Sequence, residues 1–391
     1  MRQNKPKNKT NPGLMIVLLL LITILIGLIA VILRDTLTTG QHTGLGNIIQ
    51  NLPTNSQPDS SSPSNSTTDP TPIPREDIIT GIEHYNPLTG VPMDLGLAQC
   101  RPLAVALNNI QQALPMNGVS QADIIHEFPV EGGLTRMLAL YQDPSGVKLI
   151  GSIRSARHYT VQLAESYDAI LVAAGRSPLA QKEVTSLGIP FLNEVEGPLR
   201  DVFYRDRNRI SGKRVSSLHS VVTTGERLMQ WLPQYNFRLE HEESYKHTLH
   251  FVEDGTPEGG FEANEVVVRF SSGKTTTFNY DRGDNAYYMR QYNMDYIDAN
   301  NNTRPAFTNI LILKTSVTPL RGDDSGRLDI ITTGSGEGYF VNGGKHIDIT
   351  WSRSDTSSPF IYTRTNGTNL DLGVGKTYIC IIPGNMDATF E

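Results

Sequence analysis

Residues Ala122–Arg157 read ADIIHEFPVEGGLTRMLALYQDPSGVKLIGSIRSAR. Two apolar runs of strand length, Asp123–Phe128 and Leu134–Gln142, flank Gly132-Gly133, and a third, Lys148–Ile153, follows. Short apolar runs bounded by glycine are a strand signal, and the glycine pair supplies a turn between the first two. Beyond Arg154 the period changes. Tyr159, Leu163 and Tyr167 fall on one side, with Gln162 and Glu165 opposite, which predicts an amphipathic helix starting near Ser155. The same stretch carries two carboxylates, Glu127 and Glu131, and three arginines, Arg136, Arg154 and Arg157. Charges set this densely among core strands need partners.

Working outward, Arg101–Asn108 is another buried-strand run, and Asp168–Ala174 (DAILVAA) is continuous enough for a strand covered on both faces. Ser177-Pro178 reads as N-cap and first helical residue of a helix through Leu187, followed by a strand at Ile189–Asn193. Thr223 and Glu226 have capping-box spacing before a helix through Trp231. Strands alternating with helices, preceded by a hairpin, predict an α/β domain with a mixed sheet over residues 81–240. From Tyr245 the helical pattern is nearly gone. Short runs such as Val266–Phe270, Thr275–Tyr280, Ile310–Leu313, His346–Trp351 and Lys376–Ile382 are separated by turns such as Ser272-Gly273 and Asn342-Gly343. This predicts a mostly-β structural or binding domain over 241–391.

The N-terminus sets the compartment. Leu14–Leu33 is an uncharged aliphatic run, long enough as a helix to cross the roughly 30 Å bilayer core. Arg2, Lys5, Lys7 and Lys9 precede it with no acid, so residues 1–13 form a basic cytoplasmic tail and the rest lies outside. The run is too long, and its end lacks the small residues, for a cleaved signal peptide. Residues 34–80, rich in Ser, Pro and Thr, read as an extended linker. Lys and Arg total 34 against 40 Asp and Glu, a balance that argues against nucleic-acid binding. Cys100 and Cys380 are too few for a disulfide framework and read as free thiols, with a single bridge as the alternative.

Several strings resemble the YerB-like family of bacterial cell-surface proteins, which carries a domain of unknown function. They are Asn86-Pro87-Leu88-Thr89-Gly90, RPLAVALNN (101–109), GVSQADIIHEFPVEGGLTRMLALYQ (118–142), IRSAR (153–157), GRLDI (326–330) and GSGEGYFVNGGK (334–345). The resemblance covers nearly everything from Gly81 onward and implies an extracytoplasmic envelope protein with N- and C-terminal domains. It implies no particular activity. Family members are often lipoproteins, whereas this chain shows a transmembrane run. Where the family has His-Ala-Gly-Gly-Ser-Pro, this chain has Ala173-Ala174-Gly175-Arg176-Ser177-Pro178; where it has Pro-His-Asn, this chain has Leu218-His219-Ser220.

Glu127 and Glu131 share a face of a straight strand but lie about 13 Å apart, beyond the carboxylate pairs of glycosidases. Pairing of each with an arginine of a neighbouring strand is the structural alternative to a catalytic role. Arg154 and Arg157 fall at the start of the expected helix. There free N–H groups and two guanidinium forks suit a carboxylate or phosphate, or else an internal partner among Glu127, Glu131 and Asp168. Arg136 joins them as a ligand candidate. Arg205 and Arg207, in a basic loop, read either as a solvated charge run or as the wall of the same cleft. His219 is a further catalytic candidate. No spacing points to a metal or a cofactor. Two functions follow: a non-enzymatic module binding an anionic wall component or an envelope protein, or an enzyme acting on a phosphate- or carboxylate-bearing wall polymer or precursor.

Overall fold

Most of the apolar runs become strands, and the longest of them join one sheet. The computed structural model describes residues 84–195 and 201–391, which fall within one compact unit, Arg75–Glu391. The apolar run Leu14–Leu33, the linker and Arg200, the first cation of the stretch leading into the basic loop, lie outside the described residues. No helix among the described residues is long and apolar enough to cross a membrane. The main elements are β1 (Leu103–Asn108), β2 (Ile124–Pro129), β3 (Thr135–Tyr141), α1 (His158–Glu165), β4 (Ile170–Ala173), α2 (Pro178–Leu187), β5 (Phe191–Asn193), α3 (Gly225–Trp231), β6 (Glu265–Ser271), β7 (Lys274–Asp281), β8 (Ala286–Gln291), β9 (Asn309–Thr315), β10 (Gly334–Asn342), β11 (Lys345–Arg353), β12 (Ile361–Arg364), β13 (Thr377–Pro383) and β14 (Ala388–Phe390).

The large mixed sheet runs β11-β10-β9-β13-β2-β3-β1-β4-β5, with β12 also on β11. β13 lies between β9 and β2 and is parallel to both, so strands from the two halves of the sequence share one sheet. β3 is antiparallel to β2 and β1, and β4 and β5 run parallel to β1. The carboxyl ends of β1, β2, β4, β5, β9 and β13 therefore meet one edge. A second, antiparallel sheet is ordered β8-β7-β6-β14. The β10–β11 hairpin turns on Gly343-Gly344, both at positive φ (59° and 77°), the backbone that a two-residue primed turn demands.

The period of two along the strands divides the core into two layers. Val105, Leu107, Ile125, Ile310, Ile312 and Cys380 pack with Val266, Val268 and Phe278 of the second sheet. Ala104, Ile124, Phe128, Leu138 and Ile379 pack on the other face, with Tyr159, Leu163 and Ala164 of α1. Cys380 is buried and Cys100 half-buried; both are free thiols. Two helix starts differ from the sequence expectation. α1 begins at His158 with Arg157 as its N-cap, so Arg157 is not inside the first turn. α3 is capped by Thr224, whose hydroxyl accepts from the Arg227 amide, while Thr223 ends a short strand and donates to the Val202 carbonyl.

Strand β2 buries an ionisable group on each face. Glu127, fully buried, points toward the second sheet. Its Oε1 accepts from Asn109 Nδ2 (2.7 Å) and Thr135 Oγ1 (2.7 Å), and its Oε2 from Thr276 Oγ1 (2.8 Å) and Tyr378 OH (2.7 Å). Gln291 Nε2 reaches both oxygens at 3.3 Å, and Lys274 Nζ stands 3.5 Å from Oε1. Lys274 also donates to Gln291 Oε1 (2.6 Å) and lies over the Tyr292 ring, 4.4 Å from its centroid. Burial lowers the Lys274 pKa, and the Glu127 charge opposes that shift. The expected pairing of Glu127 with an arginine is thus corrected. Its ionic partner is a lysine from β7, because the face it occupies meets the second sheet.

On the opposite face, His126 Nε2 lies 2.9 Å from the Tyr167 hydroxyl. Complete burial, followed by the Arg353 charge, pushes this imidazole down to about 3. It is neutral when folded and protonates near 6.5 when unfolded, so its contribution to stability is complete above pH 6.5 and is lost as the pH falls toward 3. His126→Gln should flatten the urea-derived stability profile between pH 6.5 and 4 by up to about 1.4 kcal/mol per pH unit. An unchanged slope would contradict the assignment. Glu127→Ala, which strands a buried ammonium, should cost about 3–5 kcal/mol by urea denaturation. Glu127→Leu combined with Lys274→Met should recover much of that loss.

A candidate anion site at the carboxyl ends of the parallel strands

The IRSAR segment is pinned along the sheet edge by its backbone. Asn108 N donates to Ser152 O (2.9 Å), Arg154 N to Ala106 O (2.8 Å), Ala174 N to Arg154 O (3.0 Å) and Ala156 N to Gly175 O (3.0 Å). These bonds clamp residues 152–156 between the end of β1 and the loop joining β4 to α2. Arg136, at the start of β3, is paired with Asn108 on one side and Phe128 on the other, which brings it to the same edge.

The three candidate arginines therefore meet. Arg136 NH1 donates to Ser155 O (2.8 Å), and its NH2 stands 3.5 Å from Glu131 Oε1. Arg157 NH2 donates to the same Glu131 oxygen. Arg154 NH1 donates to Leu218 O (2.8 Å) and, among the described residues, meets no carboxylate at ion-pair distance. Arg154 Nε and Arg157 Nε are buried without a hydrogen-bond partner, as is Glu131 Oε2. Arg136 and Arg157 are buried, whereas Arg154 and Glu131 are partly exposed.

The electrostatics show crowded cations. Burial, then Arg157 and Arg154, push Arg136 down to about 10 against the pull of Glu131. Burial and Arg157 likewise lower Arg154. Burial pushes Glu131 up, but its own backbone N–H, Arg157 and Arg136 outweigh that and hold the carboxyl below its usual range. Glu131 is therefore the arginine-paired carboxylate, and Glu127 belongs to the separate interior network, out of contact with solvent. Asp168, the other expected partner, precedes β4 at the opposite end of that strand and binds Arg101 (2.9 Å), Arg238 (2.8 Å) and His241 (2.9 Å).

Arg205, Arg207, Lys213 and Arg214 of the basic loop are exposed, as in a solvated charge run, and Arg209 is the exception. At its centre Arg209 is buried and donates to His219 O (2.9 Å), Pro115 O (2.8 Å) and Asn117 Oδ1 (3.0 Å). Arg205 NH1 donates to Ser217 O (2.9 Å), the carbonyl next to the one held by Arg154, and its NH2 pairs with Glu194 (3.1 Å). Arg207 Nε donates to Val215 O (3.1 Å). His219 Nδ1 accepts from Asn108 Nδ2 (3.1 Å); burial, then Arg154, Arg209 and Lys213, lower its pKa. The sequence reading missed Asn108, Ser155 and Asn193. Asn108 and Asn193 each end an apolar run, a position where a polar side chain sits at a strand's carboxyl end.

The arrangement defines an α+β class: mixed sheets with few helices, a mostly-β C-terminal part, and an arginine-rich edge at the carboxyl ends of parallel strands, the usual place for ligands in such sheets. Residues 88–238 match the N-terminal domain, and residues 266–379 the C-terminal domain, of the protein of unknown function family DUF3048, to which the chain belongs. It is 29% identical over 307 residues to "Putative lipoprotein YerB" of Bacillus subtilis (strain 168), an alignment that covers 77% of this chain and 87% of the relative. The crystal structure of the YerB protein from Bacillus subtilis superposes with a TM-score of 0.67 at 27% identity, covering 79% of this chain and 100% of that one.

Glu131→Gln removes the one charge that Arg136 and Arg157 share. It should destabilise the fold by about 1–3 kcal/mol in chloride buffer and regain part of that loss in phosphate at equal ionic strength. Thermal melts in the two buffers check this, and equal melting in both would count against an anion site.

Proposed function

We propose that the protein is a membrane-anchored, extracytoplasmic module of the bacterial envelope that binds an anionic envelope component through Arg136, Arg154 and Arg157. The observation that carries this reading is the imbalance at the sheet edge, where three guanidiniums gather around Glu131 and two of their Nε–H groups lack partners. Guanidinium forks with donors to spare suit carboxylate or phosphate. The basic tail and the run Leu14–Leu33 support outward attachment, as does the lipoprotein in the name of the Bacillus subtilis relative. Arg205, which holds the carbonyl beside that of Arg154, belongs to the rim; Arg207, turned to its own loop, supports the rim indirectly.

Co-sedimentation of the full-length protein with isolated envelope fractions, wall and membrane together, at rising salt tests the proposal. Arg154→Ala loses charge-assisted contacts with a ligand but only one carbonyl bond of the fold, so binding should fall roughly 10- to 100-fold while the melt barely moves. Binding by Arg154→Ala equal to that of the unsubstituted protein, or binding insensitive to salt, would refute it.

A further inference from the structure

Beside the arginine cluster stand two exposed aliphatic side chains, Leu218 (65% exposed) and Val195 (67%). Both are tied to the polar groups of the edge. Leu218 carries the carbonyl that Arg154 holds at 2.8 Å, and the neighbouring Ser217 carbonyl is held by Arg205. The Val195 amide and the Gly175 amide both donate to Asn193 Oδ1, at 3.3 and 2.8 Å. Val195 packs at Gly175: a Cβ there would stand 3.4 Å from Val195 Cγ2 and 3.0 Å from Ser155 Oγ. Ser155 in turn donates to Ala174 O (2.8 Å), and its own carbonyl holds Arg136. The polar framework of the site thus ties the Leu218 backbone to Arg154 and seats Val195 at Gly175, next to Ser155.

Resting on the anion-binding reading above, we infer that the anion is borne on a hydrocarbon chain: a lipid phosphate whose head group meets the arginines and whose first methylenes cover Leu218 and Val195. Charge agrees, because among the described residues the three guanidiniums face one carboxylate, Glu131, and leave a surplus that matches a phosphate. Spare donors agree as well. Arg157 Nε and Asn193 Nδ2 belong to buried side chains and have no partner. An anchor at Leu14–Leu33, as read from the sequence, would tether the unit to a membrane, and tethering raises the effective concentration of lipid head groups. A free phosphate would use the arginines and leave both aliphatic side chains in water, whereas each methylene laid against them adds roughly fourfold to affinity.

Calorimetry separates the sources, with full-length protein in phosphatidylcholine nanodiscs and empty nanodiscs as the blank. The probes are octyl phosphate, octanol and inorganic phosphate. Octyl phosphate should bind at least about tenfold more tightly than inorganic phosphate, and octanol should give no saturable binding. Leu218→Ser and Val195→Ser, both on exposed side chains and checked by melting, should bring octyl phosphate down toward the inorganic value. Arg154→Ala should weaken both phosphates. Equal affinities for the two phosphates, or serine variants that bind octyl phosphate as before, would overturn the lipid assignment and leave anion binding standing. Absence of binding by either phosphate would overturn both.

Discussion

A carboxylate sealed between two sheets constrains the whole unit. Glu127 cannot be left without donors in that layer, since an unpaired buried charge costs far more than any single contact returns. It is met by Asn109, by Thr135 of β3, by Thr276 and Lys274 of β7, by Gln291 of β8 and by Tyr378 of β13. These partners come from segments far apart in the chain. Sliding β2 by one residue would carry Glu127 to the helix-covered face, among Phe128, Leu138 and Tyr159, and would expose His126 to the second sheet. The network therefore specifies register within the large sheet and the seating of the second sheet upon it.

Local features of this fold were legible and distant ones were not. Apolar runs and glycine turns announced β1, β2, β3, β4 and most of the C-terminal strands, because the period of a strand is written in a few consecutive residues. Ser177-Pro178 announced α2 for the same reason, and Ser177 Oγ accepts from the Ala180 amide. The cap of α3 was misread by one residue because Thr223 and Thr224 are chemically equivalent, and only the hydrogen bond of Thr223 to Val202 tells them apart. The insertion of β13 beside β2 has no local signature at all. Nothing near Thr377 in sequence indicates that its strand pairs with Ile124.

The candidate site was half legible for a related reason. Arg136, Arg154 and Arg157 were visible as charges interleaved with strands, and the change of period after Arg154 placed two of them at the start of a helix. Glu127 and Glu131 looked equivalent because the period of two puts them on one face. The structure separates them where β2 ends at Pro129: Gly132 and Gly133, at φ 75° and 71°, turn the chain beside Glu131, which leaves it at the rim. Arg209 was hidden among its basic neighbours, since a charge pattern does not reveal which cation is taken inside by backbone carbonyls.

The two ionic clusters differ in the balance of donors and acceptors, and that difference decides which of them can receive a ligand. Around Glu127 both carboxylate oxygens are covered by donors, and Lys274 is in turn satisfied by Gln291 and the Tyr292 ring, so a ligand would have to displace a complete set of bonds. At the sheet edge the count is reversed. Three guanidiniums converge on the region of one carboxylate, their mutual repulsion adds to burial in lowering Arg136 and Arg154, and donors remain over. An added negative charge would relieve cations crowded in this way, and the backbone bonds of Asn108, Arg154, Ala156 and Ala174 already hold the edge in place.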